Sequence, residues 1–298
     1  MTVTHHIVFT CDPAQASLTS DICADWLTKH DLAPALRELG PGKAYEADVT
    51  AAQAHGLDVA QLSHHAAMHQ ADVNLVSTTN RRKKLLVADM ESTIIEQECL
   101  DELAELLNLR PQIADITERA MRGEIEFEPA LRERVALLKG LPEETLAQIY
   151  EEKVTLMPGA ETLISTMNAH GAVCALVSGG FSYYAEKIAD WLGFDRWRSN
   201  TLTIVGGALD GTVGDPILGR DAKAEFLQKW QQEMDLAQDA TLAVGDGSND
   251  LAMIGLAGFG VAFRAKPLVA EAAAISITYG DLTGLLYLQG FTDSEFAG

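Results

Sequence analysis

Apolar runs alternate with helical stripes along most of this chain. Residues 85–88 read Leu-Leu-Val-Ala, an uninterrupted apolar run typical of a strand buried on both faces of a parallel sheet. Further strands are predicted at residues 172–177 and 241–244, and helices at residues 158–170 and 222–234 precede them. This alternation of strand and helix predicts an α/β fold with a parallel sheet.

Two segments depart from that alternation. Residues 99–154 carry only helical stripes, such as Leu103 with Leu107, and no strand pattern, which predicts a helical insertion. Residues 200–217 alternate apolar and polar positions around Gly206 and Gly207, which predicts a β-hairpin.

The first 80 residues form a candidate domain of their own. A strand is predicted near residues 7–10 and a helix over residues 18–29, as in a small α/β unit. The polar, basic run at residues 77–84 that follows is expected to be a solvated connector. The predicted division is therefore a domain at 1–80 and a second at 81–298, with the helical insertion at about 96–155.

Composition and net charge limit the classes of partner that this protein is expected to bind. The 298 residues include 22 Lys and Arg against 43 Asp and Glu, so the net charge of -21 should repel nucleic acid and anionic membranes. No apolar window reaches the length of a membrane span, and the N-terminus lacks a signal-peptide pattern. The four cysteines form no C-x-x-C pair, which favours reduced thiols and a cytoplasmic location.

Three predicted strands each end in a small polar loop, and a lysine, Lys223, begins a helix between the last two. The loops read Asp89-Met90-Glu91-Ser92-Thr93, Ser178-Gly179-Gly180 and Gly245-Asp246-Gly247-Ser248-Asn249-Asp250. Ligands of open α/β sheets bind at the carboxyl ends of the strands. Each element alone has an ordinary explanation, such as a helix cap, a turn or a surface lysine, but the four in this order point to one site.

Together these elements resemble the haloacid dehalogenase superfamily of phosphatases, which implies a Rossmann-like core with a helical cap inserted after the nucleophile strand. The resemblance implies that Asp89 is the nucleophile. It also implies that the phosphoryl group is held by Ser178, the Gly179 amide, Lys223 and Asn249. The implied Mg²⁺ ligands are Asp89, Asp246 and the backbone carbonyl of Glu91, with Asp250 in the outer sphere.

The insertion resembles the cap of phosphoserine phosphatases at Glu98, at residues 121–123 and at residues 127–134. That resemblance implies hydrolysis of O-phospho-L-serine, the last step of serine biosynthesis. Glu98 would bind the ammonium group and Arg134 the carboxylate, with Arg132 as the nearest rival. Met121 and Phe127 would close over the substrate. The alternative roles are a structural ion pair for the charged residues and plain cap core for the apolar ones.

Glu91 departs from the family pattern, which has aspartate two residues after the nucleophile. The residue there must give a proton to the leaving alkoxide and take one from water. Glutamate extends the carboxyl by roughly 1.5 Å, and such a misplacement can cost on the order of 10²-fold in rate. Three interpretations stay open: a phosphoserine phosphatase, a phosphatase or phosphotransferase for another small phosphomonoester, and a non-hydrolytic binder disabled by Glu91.

Two weaker signals lie in the N-terminal unit. It resembles the amino-acid-binding, ACT-like domains attached to some of these phosphatases, which implies a regulatory role and a possible homodimer. His65 and His69 have the i, i+4 spacing of a transition-metal site, but no further ligand is evident and a solvated helix face is favoured.

Overall fold

The computed structural model describes residues 2–121, 124–219 and 221–298, with the backbone alone at Met121. The first part of the chain forms a four-stranded antiparallel sheet in the order β2-β3-β1-β4, with helices between its strands. The elements are β1 (Val3–Cys11), α1 (Ser20–Thr28), β2 (Leu36–Gly40), β3 (Ala44–Thr50), α2 (Ala51–Gly56), α3 (Val59–Ala67) and β4 (Ala71–Ser77). This strand order is that of a ferredoxin-like unit, which agrees with the predicted small α/β unit. Its regulatory role stays a prediction.

The predicted parallel sheet is confirmed. Its strands run in the order β12-β11-β10-β5-β6-β7, every neighbouring pair parallel. The strand before Asp89 is β5 (Leu85–Ala88). The helices of the insertion, called the cap below, are α4 (Cys99–Leu106), α5 (Arg110–Met121), α6 (Phe127–Ala136) and α7 (Glu144–Lys153). The next elements are α8 (Ala160–Ala169), β6 (Val173–Phe181), α9 (Ser182–Leu192) and β7 (Arg196–Asn200). The remainder comprises β8 (Leu202–Val205), β9 (Ala208–Val213), α10 (Ala222–Glu233), β10 (Thr241–Gly245), α11 (Leu251–Leu256), β11 (Phe259–Phe263), α12 (Pro267–Ala272), β12 (Ile275–Ile277) and α13 (Gly284–Leu288).

Strand β5 is buried on both faces, as its apolar run predicts. Leu86 and Ala88 pack into one core cluster and Leu85 and Val87 into another, because successive side chains of a strand point to opposite faces. The hairpin β8–β9 and the helical insertion between β5 and α8 agree with their sequence patterns.

Three sequence-based expectations need correction. Helix α8 begins at Ala160 rather than Pro158, after Gly159 in the left-handed region (φ 82°). His69 lies beyond the end of α3, so it does not share a helix face with His65. The basic run at residues 77–84 is not simply solvated: Lys83 is buried and donates to the Asp239 carbonyl oxygen at 2.6 Å.

The N-terminal sheet is joined to the core by buried polar contacts. The Asp72 carboxylate on β4 accepts hydrogen bonds from the backbone N–H groups of Thr278, Tyr279 and Gly280, and Asn74 bonds the backbone of Ser276 in both directions. The four cysteines are buried free thiols. Within the described ranges, no helix combines the length and apolar character needed to cross a bilayer.

Candidate active site

Parallel pairing of β5 with β6 and β10 brings three sequence-predicted loops to one edge of the sheet. Asp89 follows β5 directly, and its backbone N–H donates to the Val244 carbonyl oxygen at 3.0 Å, which joins the Asp89 loop to the end of β10. Asp89, Ser178 and Asp246 are all buried there. The loops that were predicted separately therefore form one site.

Lys223 lies between two of the carboxylates. Its Nζ is 2.6 Å from Asp89 Oδ1 and 2.6 Å from Asp250 Oδ1, and all three side chains are almost wholly buried. Burial alone would lower the pKa of Lys223, but the two carboxylates raise it, so the ammonium stays charged. Lys223 is therefore a fixed positive charge beside the proposed nucleophile.

The neighbouring carboxylates carry more negative charge than the Lys223 ammonium can neutralise. Oxygen atoms of Asp89, Asp246 and Asp250 lie within 4.8 Å of one another. Burial, followed by the nearby charge of Asp250, raises the pKa of Asp89 and brings the pKa of Asp246 to about 6. Gly245 makes the cluster possible, because a Cβ there would overlap the Asp250 carboxyl group. An all-oxygen cluster with surplus negative charge suits a hard divalent cation.

The sequence predicts a turn at Ser178-Gly179-Gly180 after the strand, but in the structure these residues belong to the last part of β6. They form a loop-like segment where the pairing with β7 shifts register between Val177 and Phe181, and their backbone faces the same point. The Gly180 N–H donates to Ser178 Oγ at 2.9 Å, and the Asn200 side chain donates to the Gly179 carbonyl oxygen at 2.8 Å. These bonds fix the loop while leaving its small residues open to close approach. A small cavity of about 20 Å³ remains, lined in part by Phe127, Ser178, Gly179, Lys223 and Asn249.

Glu91 lies beside Asp89 with its carboxyl turned inward. Its Oε1 accepts a hydrogen bond from the backbone N–H of Cys99 at 2.8 Å, at the first residue of α4. Burial and then the charge of Glu98 raise the pKa of Glu91 to about 7, against the opposing hydrogen bond from Cys99. A carboxyl group with this pKa can give and take a proton near neutral pH.

The two cap arginines, Arg134 and Arg132, differ in how far their side chains are exposed. Arg134 is half-buried and burial lowers its pKa, while its charge lies near Glu91, Glu98 and Asp101. Arg132 is exposed and forms an ion pair with Asp215 at 2.5 Å. Of the two arginines, Arg134 is therefore the one whose charge interacts with Asp101, Glu91 and Glu98, and its Nε donates to the Ala130 carbonyl oxygen at 3.2 Å.

A family model for haloacid dehalogenase-like hydrolases matches residues 86–255, more than half of the chain. The chain belongs to this family. The matched haloacid dehalogenase-like segment runs from β5 to α11 and so includes the Asp89 loop, the cap, Lys223 and the acidic loop.

Two curated relatives and one solved structure are similar to this haloacid dehalogenase-like chain. A phosphoserine phosphatase of Vibrio cholerae is 43% identical over 202 residues, 68% of this chain and 61% of its own length. One from Streptococcus thermophilus is 42% identical over 67% of this chain and 93% of its own length. The unliganded crystal structure of a probable phosphoserine phosphatase from Vibrio cholerae superposes with a TM-score of 0.78 at 32% identity, covering 96% of this chain and 86% of the other. The match thus spans less than two thirds of the Vibrio relative.

Most of the sequence-predicted residues meet at this site. The structure brings together Asp89, Glu91, Ser178, Gly179, Lys223, Asp246, Asn249 and Asp250, with Phe127 against the Gly179 loop. Glu98 is exposed at the entrance to α4, where Ser92 Oγ donates to it at 2.8 Å. The Met121 side chain and residues 122–123 lie outside the described part. Their individual roles remain predictions.

Sequence reasoning missed the residues that hold Glu91. The Cys99 backbone N–H donates to its carboxyl group, and the absence of a Cβ at Gly180 leaves the space that this group occupies. No pattern reveals a contact between residues eight positions apart that depends on the course of a loop. Gly180 was visible in the Ser178-Gly179-Gly180 turn, but the turn alone does not say what its second glycine faces.

Proposed function

We propose that this chain hydrolyses O-phospho-L-serine to L-serine and phosphate through an aspartyl-phosphate on Asp89. The observation that carries the proposal is the buried Asp89 carboxylate against Lys223, beside the Ser178 loop and beneath a cap that bears Phe127 and Arg134. The names of the relatives support the choice of substrate.

The proposed reaction has two half-steps. An oxygen of Asp89 attacks the phosphorus, the bond to the serine oxygen breaks, and the leaving oxygen takes a proton from Glu91. Water then gives a proton to Glu91 and attacks the phosphorus, which releases phosphate and restores Asp89. Lys223 and the Gly179 amide region stabilise the charge on the phosphoryl oxygens.

The acidic cluster fits a divalent cation. Asp89 and Asp246, with the backbone carbonyl of Glu91, would hold Mg²⁺, and Asp250 would lie in the outer sphere. When bound, the metal neutralises charge on the phosphoryl group and on the carboxylates. Asp250 already accepts hydrogen bonds from Lys223 and from the Gly247 N–H, which suits an orienting role.

Substrate choice rests on the cap. Arg134 would bind the substrate carboxylate, since a planar guanidinium matches it with two parallel hydrogen bonds. Glu98 would bind the ammonium group and Phe127 would exclude water above the phosphate. The ion pair of Arg132 with Asp215 argues against Arg132 in this role.

The test is phosphate release from L-phosphoserine, with Mg²⁺ and with a chelator, by the parent and by Asp89→Asn. We expect metal-dependent release that falls by on the order of 10⁴-fold in Asp89→Asn, since the nucleophile is lost. Folding of the variant is checked by thermal unfolding. Tight phosphoserine binding without release from the parent would instead mean a non-hydrolytic binder.

Phosphoethanolamine, which lacks the carboxylate, tests the substrate assignment. Arg134→Met should raise KM for phosphoserine by at least about 10-fold, the loss expected for a charged hydrogen-bonded pair, and leave phosphoethanolamine kinetics nearly unchanged. Arg132→Met is the matched control and should alter neither. Equal effects on both substrates would remove Arg134 from carboxylate recognition and favour another phosphomonoester.

A further inference from the structure

The Glu91 carboxyl group lies in a narrow slot between the start of α4 and the last residues of β6. On one side, Oε1 accepts the Cys99 backbone N–H at 2.8 Å. On the other side is Gly180: a Cβ built there would lie 2.6 Å from Glu91 Oε2 and 3.0 Å from Cδ. The space that a side chain at position 180 would fill is thus occupied by the Glu91 carboxyl group.

The dimensions of the slot match glutamate rather than aspartate. Aspartate would place its carboxyl roughly 1.5 Å closer to the backbone. From there it would fall short of the Cys99 N–H and leave the space beside Gly180 empty. The residue that departs from the family pattern therefore has a complementary surface in this chain.

We propose that Gly180 and the Cys99 backbone N–H are positioning groups that fit this active site to glutamate at position 91. The inference deepens the proposed function and rests on it, because Glu91 serves there as the proton donor and acceptor. It reverses the expectation that glutamate is a defect: Glu91→Asp should slow the reaction, not speed it.

The backbone at Gly180 does not itself require glycine. Its φ is not among the positive values of this chain, so alanine can adopt the same conformation. The atom that a methyl group would meet first is the free end of a side chain, which can turn away at little cost to folding. Gly180→Ala should therefore displace the Glu91 carboxyl group while leaving the fold intact.

A double-mutant cycle on Gly180→Ala and Glu91→Asp measures this coupling. With Glu91 present, Gly180→Ala should lower kcat for L-phosphoserine by on the order of 10²-fold and change KM by less than about 3-fold. In the Glu91→Asp background, the same change should cost less than about 5-fold, since no carboxyl group occupies the space. Gly255→Ala is the matched control, because a Cβ there has no neighbour within 4 Å.

The kinetics of the two single variants and of the double variant test directly whether Gly180 and Glu91 are coupled. Effects that simply multiply, or a Glu91→Asp variant faster than the parent, would overturn the proposal. The cycle is run in parallel with β-glycerol phosphate, another alkyl phosphate that needs a proton on its leaving oxygen. Coupling with that substrate and no hydrolysis of phosphoserine would retain the slot and reject the substrate assignment.

Amide hydrogen exchange at Cys99 provides a readout that needs no turnover. The first N–H groups of a helix have no partner within the helix, so Glu91 supplies the protection of this one. Gly180→Ala and Glu91→Asp should each speed exchange at Cys99 by at least about 10-fold, and Gly255→Ala should not. Unchanged protection in both variants would overturn the proposal even if the protein hydrolyses nothing.

Discussion

Two buried charge clusters in this molecule have opposite balances. At the candidate active site, Lys223 pairs with Asp89 and Asp250, and the charge of Lys266 lies near Asp246. Among the described residues of the cluster, three carboxylates therefore meet two ammonium groups and are in excess. Where the N-terminal sheet meets the core, the buried Glu46 carboxylate binds two guanidinium groups.

The second cluster consists of Glu46, Arg81 and Arg37. Arg81 Nη2 is 2.6 Å from Glu46 Oε2, and its Nε donates to the Leu288 carbonyl oxygen, so it ties β3 to the helix α13. Burial alone would raise the pKa of Glu46, but the hydrogen bonds and charges of Arg81 and Arg37 lower it. The two guanidinium groups therefore neutralise the Glu46 carboxylate without an added ion.

The direction of the pKa shifts distinguishes the proposed metal-binding cluster from the structural cluster. Both are buried, but the pKa of Glu46 is lowered while those of Asp89 and Asp246 are raised. Spacing alone does not make the distinction, since His6, Glu46 and Asp48 also lie close enough to hold an ion. The arginines neutralise that group, whereas the active-site cluster retains negative charge that an added cation would balance.

The largest effect that would sharpen this comparison is on metal affinity. Asp246→Asn removes one of the proposed ligands and should weaken Mg²⁺ activation of phosphate release by at least about 100-fold. Mg²⁺ at about 100 times its Kd should also stabilise the parent by about 2.7 kcal/mol in urea unfolding, and the variant should lose that response.

The matched control is Asp48→Asn, in the group of His6, Glu46 and Asp48 whose Glu46 is paired with the two arginines. Its Mg²⁺ activation and Mg²⁺-dependent stabilisation should equal those of the parent. A shift in Asp48→Asn as large as in Asp246→Asn would mean that surplus charge does not distinguish the clusters.

Removing one partner from the structural cluster should lower the free energy of unfolding and leave Mg²⁺ binding unchanged. Arg81→Met leaves Glu46 buried with one partner, and we expect the free energy of unfolding to fall by about 3 kcal/mol in urea titrations. Arg37→Met is the control, because the Arg37 side chain is 58% exposed and exposed partners contribute about 1 kcal/mol or less. Equal losses from the two variants would show that burial of Arg81 does not determine the strength of the contact.

The smallest effect, counted per pH unit, is a difference in pH dependence. The raised pKa of Asp246, about 6 in the folded protein against 3.8, means that metal-free stability falls as pH rises from about 4 to about 6, by about 3 kcal/mol in all. The lowered pKa of Glu46 has the opposite sign: its contribution is present above pH 4.5 and is lost as pH falls below that value.

Urea unfolding across this pH range checks both slopes. Asp246→Asn should make the decline between about pH 4 and about pH 6 less steep, and the raised pKa values of Asp89 and Glu91 should account for the rest. Saturating Mg²⁺ should also make this decline less steep, and Glu46→Gln should flatten the decline below pH 4.5. A metal-free protein whose stability rises over the first of these ranges, with no change in that slope on Asp246→Asn, would contradict the charge balance described for the active site.

Local patterns were sufficient for much of the fold and for the members of the site. The apolar run before Asp89 identified β5 to the residue, because a strand buried on both faces admits little else. The helical stripes at residues 99–154 identified the cap. The polar loops after three parallel strands predicted that Asp89, Ser178 and Asp246 meet, since the carboxyl ends of such strands share one edge.

The sequence by itself thus determined which elements form and which end of the sheet carries the chemistry. Only the tertiary structure decided which charges are paired and which are in surplus. Arg81 and Lys83 belong to a basic run that looks solvated, yet they are buried because the N-terminal sheet and the core close over them. Only the folded chain brings the Cys99 N–H and the open space at Gly180 to the Glu91 carboxyl group. The reason is physical: hydrophobic periodicity is a local property, whereas desolvation and the distances between charges depend on parts of the chain far apart in sequence.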